Sequence, residues 1–83
     1  MTAATETPVA FYLGQIEALE HEVGPIADTT RALLVSIGER TETLREAANT
    51  EPHPQAALIL RRRAGHLERL FWSSLDIVRE VQP

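Results

Sequence analysis

The sequence contains no cysteine, and this absence excludes a disulfide framework, a thiolate metal site and redox chemistry at sulfur. It also lacks any apolar run that approaches the roughly 20 residues of a membrane-spanning helix. Residues 1–7 do not combine basic residues with a following apolar run, so they do not have the pattern of a secretory signal. We therefore expect a soluble protein, located in the cytoplasm, with no membrane among its partners.

Lysine is absent too: all eight basic residues are arginine, and twelve carboxylates bring the formal net charge to −4. A chain this acidic is not typical of general nucleic-acid binders, so nucleic acid is an unexpected partner. Residues 1–53 hold three Arg and nine Asp or Glu, a balance of −6, whereas residues 54–83 hold five Arg and three acids, a balance of +2. We expect the basic last segment to pack against the acidic segments before it.

Apolar residues, in contrast, recur at alternating spacings of three and four through most of the chain. Only an α-helix repeats its side-chain directions at about 3.6 residues, so this stripe predicts an all-α protein with helices packed along their length. The stripe consists of Val9, Tyr12, Ile16, Leu19, Val23, Ile26, Thr30, Leu33, Ile37, Leu44 and Ala47, followed by Ala57, Leu60, Ala64, Leu67, Phe71, Ser74, Val78 and Val81.

Proline and glycine divide the stripe. Thr7 followed by Pro8 is typical of a helix start, Gly24 followed by Pro25 of a helix end, and the segment 49–54 holds two further prolines. The sequence therefore predicts a disordered tail and a single helical domain, over residues 1–7 and 8–83, with helices over about 8–23, 28–48 and 54–82.

Two arrangements of these segments fit the pattern. In one, Asp28 caps a separate second helix and the chain forms an antiparallel three-helix bundle. In the other, the first helix continues through a kink at Gly24 and Pro25, because the stripe keeps its phase across the break, and the chain forms a helical hairpin. We favour three helices, since the Gly-Pro pair is a severe interruption of a helix.

The size of the chain and its surplus of apolar residues indicate how it functions. A chain of 83 residues gives a core of small net stability, so we expect a homo- or hetero-oligomer formed through helices. Phe11 and Trp72 are large anchors of the kind that become buried at interfaces. We predict a non-enzymatic protein-interaction module, such as an adaptor, a chaperone-like subunit or a regulator. Its predicted partner-binding residues are Phe11, Gly14, Ala18, Leu58, Trp72 and Leu75.

The sequence offers no catalytic, cofactor-binding or metal-binding pattern. A Ser/His/Asp order, a pair of buried carboxylates or a glycine-rich loop is not found. Of the three histidines, only His21 has a possible co-ligand at helical spacing, Glu17, and we interpret these two as a surface ion pair. We therefore expect no enzyme activity, no cofactor and no metal ion.

The one charge run, Arg61 to Arg63, spreads over three directions of a helix at about 100° per residue, which favours solvated side chains, with Arg63 near the apolar side. With His66, however, Arg61 completes an Arg, four residues, His spacing. This spacing resembles the motif of the helical HEPN ribonucleases. The resemblance implies a dimer in which Arg61 and His66 meet at an RNA phosphate, and it leaves a small nucleic-acid-binding protein or ribonuclease as an alternative.

A second resemblance concerns the length of the chain, its helical pattern and the position of its loop. A small acidic helical hairpin with a proline-containing connection, here residues 51–55, resembles the needle-protein co-chaperones of type III secretion. That resemblance implies binding of an aggregation-prone helical subunit, and it is the other alternative for the function.

Overall fold

A computed structural model of the chain describes residues 8–81, which form three α-helices: α1 (Pro8–Val23), α2 (Asp28–Thr50) and α3 (Pro54–Val81). That part of the chain contains no strand, so the prediction of an all-α fold is confirmed. The predicted tail over residues 1–7, including Thr7 of the predicted helix start, lies outside the described residues, as does Gln82, the last residue of the predicted third helix.

Gly24 separates α1 from α2. It has a φ of +89°, in the left-handed region that glycine adopts without strain, and its N–H donates to the carbonyl oxygen of Glu20 at 2.9 Å. Residues 24–27 are not helical. Of the two predicted arrangements, the structure therefore has three separate helices and not one kinked helix.

The N-terminal cap and the C-terminal end of α2 differ from the prediction. The residue before the helix is Ala27, in extended backbone and without a side-chain capping bond, and Asp28 is already helical. Its carboxylate lies in the first turn, where negative charge is favourable next to the helix dipole. At the other end α2 continues to Thr50, because Pro52 forces only its immediate predecessor out of helical geometry: Glu51 has φ −73° and ψ 121°.

A short connection over residues 51–53 folds α3 back along α2, and the two form a long antiparallel hairpin. α1 packs against the part of this hairpin that is remote from the connection. The main core lies there, between all three helices. It consists of Tyr12, Ile16, Leu19, Leu34, Ile37, Phe71 and Leu75. Near the connection the buried side chains are smaller: Ala48, Ala57 and Ala64.

The buried side of α2 is rotated from the predicted stripe. Leu33 belongs to the stripe but is 61% exposed, whereas Val35 packs against the core and Gly38 is buried, although neither belongs to the stripe. The reason is that α2 contacts α1 on one side and α3 on another, so the centre of its buried arc lies between them. Val81, at the end of the stripe on α3, is 70% exposed.

Ion pairs connect the helices, but only in part as expected. Arg79 of α3 contacts Glu22 of α1 at 2.9 Å, which is the predicted pairing of a basic last segment with an acidic first one. Within residues 8–81, two further ion pairs join α2 to its neighbours: Arg31 with Glu20 of α1 at 2.7 Å, and Arg45 with Glu68 of α3.

Candidate functional site

One side of the α2–α3 hairpin is not covered by α1. The residues of α2 that contact α1 include Arg31, Gly38 and Glu42, which lie on one side of the helix. Leu33 lies on the opposite side of α2. We call this side of the hairpin the open face. Four large apolar side chains on it are roughly half exposed or more: Leu33 (61%), Ile59 (51%), Leu70 (45%) and Ile77 (59%).

Three of these side chains, Ile59, Leu70 and Ile77, form a line along α3. Their spacings are close to whole numbers of helical turns, so they project in nearly the same direction. From position 59 to position 77 this line is roughly 27 Å long at about 1.5 Å per residue. The open face is thus long enough to lie against another helix.

On the open face, side chains of α2 and α3 line a groove with a volume of about 670 Å³. This volume lies within the range of about 300–1,000 Å³ that is typical of binding clefts. We call it the basic groove. Its lining residues are Arg40 and Leu44 of α2, with Ile59, Arg62, Arg63, His66 and Leu67 of α3.

Within residues 8–81, the arginines of the basic groove, Arg40, Arg62 and Arg63, take part in no ion pair. The same holds for Arg61 and Arg69 outside the groove, whereas Arg45 and Arg79 each contact a carboxylate on another helix. Only in the groove do three unpaired arginines of the described chain lie together with apolar side chains. The groove therefore combines apolar side chains with uncompensated positive charge.

Sequence reasoning did not find this groove. It placed the three consecutive arginines in three directions, but Arg62 and Arg63 both line the basic groove, because it lies between their directions and their side chains are long. It also did not single out Arg40, which comes from the other helix. The signal that was present is the spacing of Ile59, Arg63 and His66, which puts them on one side of α3.

Arg61 lines a different groove, with Arg45, Asn49 and Gly65, whereas His66 lines the basic groove. Within a single copy, the two residues that the HEPN resemblance implies are therefore not in the same site. Their meeting would depend on a second copy, as the resemblance itself implies.

The predicted partner-binding residues do not form one surface. Phe11 is 48% exposed, and its ring centroid lies 6.0 Å from that of Trp72, which is partly buried against the core. Gly14 and Ala18 are exposed on α1. Leu58 is 45% exposed, but it lies roughly 21 Å along α3 from Trp72.

Leu75 requires a correction. It was predicted to bind a partner, but it is 0% exposed and belongs to the core. It lies on the side of α3 that faces both other helices, and the width of the apolar arc on α3 concealed this in the sequence. Its side chain is not available to a partner.

A polar cluster at the edge of the core joins the three helices. The Tyr12 hydroxyl donates to Glu42 Oε2 at 3.2 Å and accepts a hydrogen bond from Arg45 Nη1 at 3.1 Å. Arg45 also pairs with Glu68 of α3. Burial raises the pKa of the Tyr12 phenol above its ordinary value of 10.0. Because each group has a partner within the cluster, we interpret the cluster as structural.

Two features absent from the described residues bear on other functions. Among residues 8–81 there is no group of three or more His, Cys, Asp or Glu side chains that could hold a metal ion. None of the three helices has the length and apolar character needed to cross a membrane.

Comparison of the chain with protein-family models, with curated proteins and with solved structures found no match. The function is therefore inferred from the geometry of the open face.

Proposed function

We propose that the protein is a non-enzymatic helical interaction module, which binds a partner helix along the open face. One observation carries the proposal: Ile59, Leu70 and Ile77 remain about half exposed in a line along α3. An apolar line of this kind is the surface that an amphipathic helix recognises with residues at i, i+3, i+4 and i+7. An adaptor, a chaperone-like subunit and a regulator would all use the surface in this way. The cytoplasmic location expected from the sequence stays a prediction.

The open face is a better candidate than the surface around Phe11. The Phe11 ring already contacts two aromatic rings of the same chain, those of Tyr12 and Trp72. Its exposed neighbours on α1, Gly14 and Ala18, offer little apolar area. The line on α3 is longer and lies beside a groove, so a bound helix would bury more apolar surface there.

Nucleic-acid binding is the competing function, and the unpaired arginines of the basic groove favour it. The composition of the groove argues against it, because among residues 8–81 its lining has no Phe, Tyr or Trp side chain on which a base could stack. Leu70 and Ile77 lie on the same face outside the groove, and phosphate binding does not explain why these apolar side chains are exposed.

A labelled amphipathic peptide of about 18 residues, with leucines along one side and uncharged glutamines flanking them, tests the helix-binding function. We expect it to bind the protein in a fluorescence-anisotropy titration. Leu70→Ser should weaken binding by about tenfold, the effect of losing most of one buried leucine. Leu58→Ser is the matched control, because Leu58 is as exposed as Leu70, at 45%, but lies off the open face.

Absence of peptide binding, together with no binding of an uncharged apolar dye, would contradict the proposed function. Equal effects of Leu70→Ser and Leu58→Ser would contradict the assignment of the function to the open face.

A further inference from the structure

The geometry points to an acidic partner: resting on the helix-binding function above, we infer that the occupant of the basic groove is an amphipathic helix with carboxylates on both sides of its apolar line. Its apolar residues would contact Leu44, Ile59 and Leu67. Its carboxylates would pair with arginines on the two walls.

The arginines of the basic groove have no acidic partner within residues 8–81. In the same part of the chain Arg31, Arg45 and Arg79 each contact a carboxylate on another helix, whereas Arg61 and Arg69, outside the groove, take part in no ion pair either. What sets Arg40, Arg62 and Arg63 apart is that they line one groove together with apolar side chains, although the chain as a whole carries a net charge of −4. This local excess of positive charge beside apolar side chains is complementary to an acidic apolar ligand.

The arginines of the basic groove lie on both of its walls. Arg40 lies on the α2 wall, whereas Arg62 and Arg63 lie on the α3 wall. A helix that lies along the groove therefore meets cations on both flanks. Arginine forms two-pronged hydrogen bonds with carboxylates, so glutamates or aspartates on both flanks of the ligand would fix its position and its direction.

A second copy of the chain does not suit the basic groove. A two-fold symmetric contact centred on the groove would bring Arg40, Arg62 and Arg63 of one copy close to the same arginines of the other, and like charges in contact are costly. A contact between the groove and an acidic surface elsewhere on the next copy would not close and would give open-ended assembly. A different, acidic chain avoids both problems.

The test uses three labelled peptides that have the same length and the same leucine line but glutamate, glutamine or lysine flanks. In anisotropy titrations at low salt, the glutamate peptide should bind about tenfold more tightly than the glutamine peptide, as expected for a few exposed ion pairs, and the lysine peptide most weakly. The preference for glutamate should decrease as salt is added, because salt screens exposed charges.

Substitutions locate the effect. The triple variant Arg40→Gln, Arg62→Gln and Arg63→Gln should lose the preference for glutamate and retain the affinity for the glutamine peptide. Arg61→Gln is the matched control, since Arg61 is the neighbour of Arg62 in sequence but lines another groove, and it should retain the full preference. Circular dichroism checks that each variant remains helical.

Each other outcome has a defined meaning. Equal binding of all three peptides, or a preference unchanged in the triple variant, overturns the acidic partner and leaves the helix-binding function in place. Failure of all three to bind is a failure of the helix-binding function itself. Tighter binding of a single-stranded RNA, or a dimer by light scattering that Leu70→Ser dissociates, overturns the inference in favour of nucleic acid or of a second copy.

Discussion

A Cβ atom placed on Gly38 would lie 2.7 Å from both the Cβ and the Cγ of Tyr12. These atoms belong to the base of the Tyr12 side chain and do not move without α1, so a side chain at position 38 would push α1 away from α2. Gly38 is therefore required by the close packing of two helices, although glycine lowers the stability of a helix interior by about 1 kcal/mol relative to alanine.

We expect Gly38→Ala to destabilise the protein by about 1–3 kcal/mol, because the overpacking exceeds the gain in helix propensity. Gly14 is the matched control, since it is also inside a helix but nothing lies within 4 Å of a Cβ built there. Gly14→Ala should stabilise by about 0.5–1 kcal/mol. Urea unfolding of both variants measures the difference, and a stabilising Gly38→Ala would contradict the close contact.

The sequence could not distinguish these glycines. Both Gly14 and Gly38 project away from the apolar stripe of their own helix, so a helical wheel places both in solvent. The wheel takes the stripe as the centre of the buried side, which holds for a helix with one neighbour. α2 has two, and the contact with α1 buries Gly38 on a side that carries few apolar residues.

The helices and the breaks between them were predictable because they depend on residues that are close together in the sequence. The three helices follow from the 3.6-residue period, and the breaks follow from the fixed φ of proline and the left-handed φ of Gly24. These features depend on a few neighbouring residues. The basic groove depends on Arg40 of α2 and Arg62 of α3, which come together only when the hairpin forms. No local pattern contains that relationship.

Tyr12 should give the protein a specific sensitivity to alkaline pH. Its pKa is raised in the folded state, chiefly by burial, so the unfolded chain ionises first, near the ordinary value of 10.0. The unfolded state then binds fewer protons than the folded state. The contribution of Tyr12 to the free energy of unfolding is therefore complete below pH 10 and should decrease as the pH rises towards the folded pKa. The chain has one tyrosine and neither lysine nor cysteine, so no other side chain contributes in this range.

The variant Tyr12→Phe tests this. Near neutral pH it should be less stable than the wild type by about 0.5–1.5 kcal/mol, since it loses the hydroxyl contacts to Glu42 and Arg45. Above pH 10 its stability should stay constant while that of the wild type decreases, so the two should converge. Urea unfolding from about pH 8 to about pH 11 measures both. Parallel decreases in the two proteins would assign the alkaline effect to another group.

Variants of Leu70 and Leu75, both on α3, should distinguish an effect on binding from an effect on stability. Leu75 is completely buried, whereas Leu70 is 45% exposed on the open face. Leu75→Ala should therefore cost about 2–5 kcal/mol, and Leu70→Ala less than about 1 kcal/mol. In the peptide titration only Leu70→Ala should weaken binding under conditions where both variants are folded. Similar losses of stability in thermal unfolding would contradict the burial that distinguishes them.

Phe11, finally, should behave as a structural contact and not as a partner anchor. Its ring lies at 6.0 Å from that of Trp72, edge to face, and such pairs contribute about 0.5–1.5 kcal/mol beyond the area that they bury. Phe11→Ala should lower the stability by at least that amount and shift the emission of Trp72, the one tryptophan of the chain, to longer wavelength. Peptide binding to the open face should not change.

Leu58→Ala is the control, because Leu58 is similarly exposed but far from Trp72, so the Trp72 emission of this variant should be that of the wild type. If Phe11→Ala abolished peptide binding while the protein stayed folded, the partner surface would lie on α1 and not on the open face.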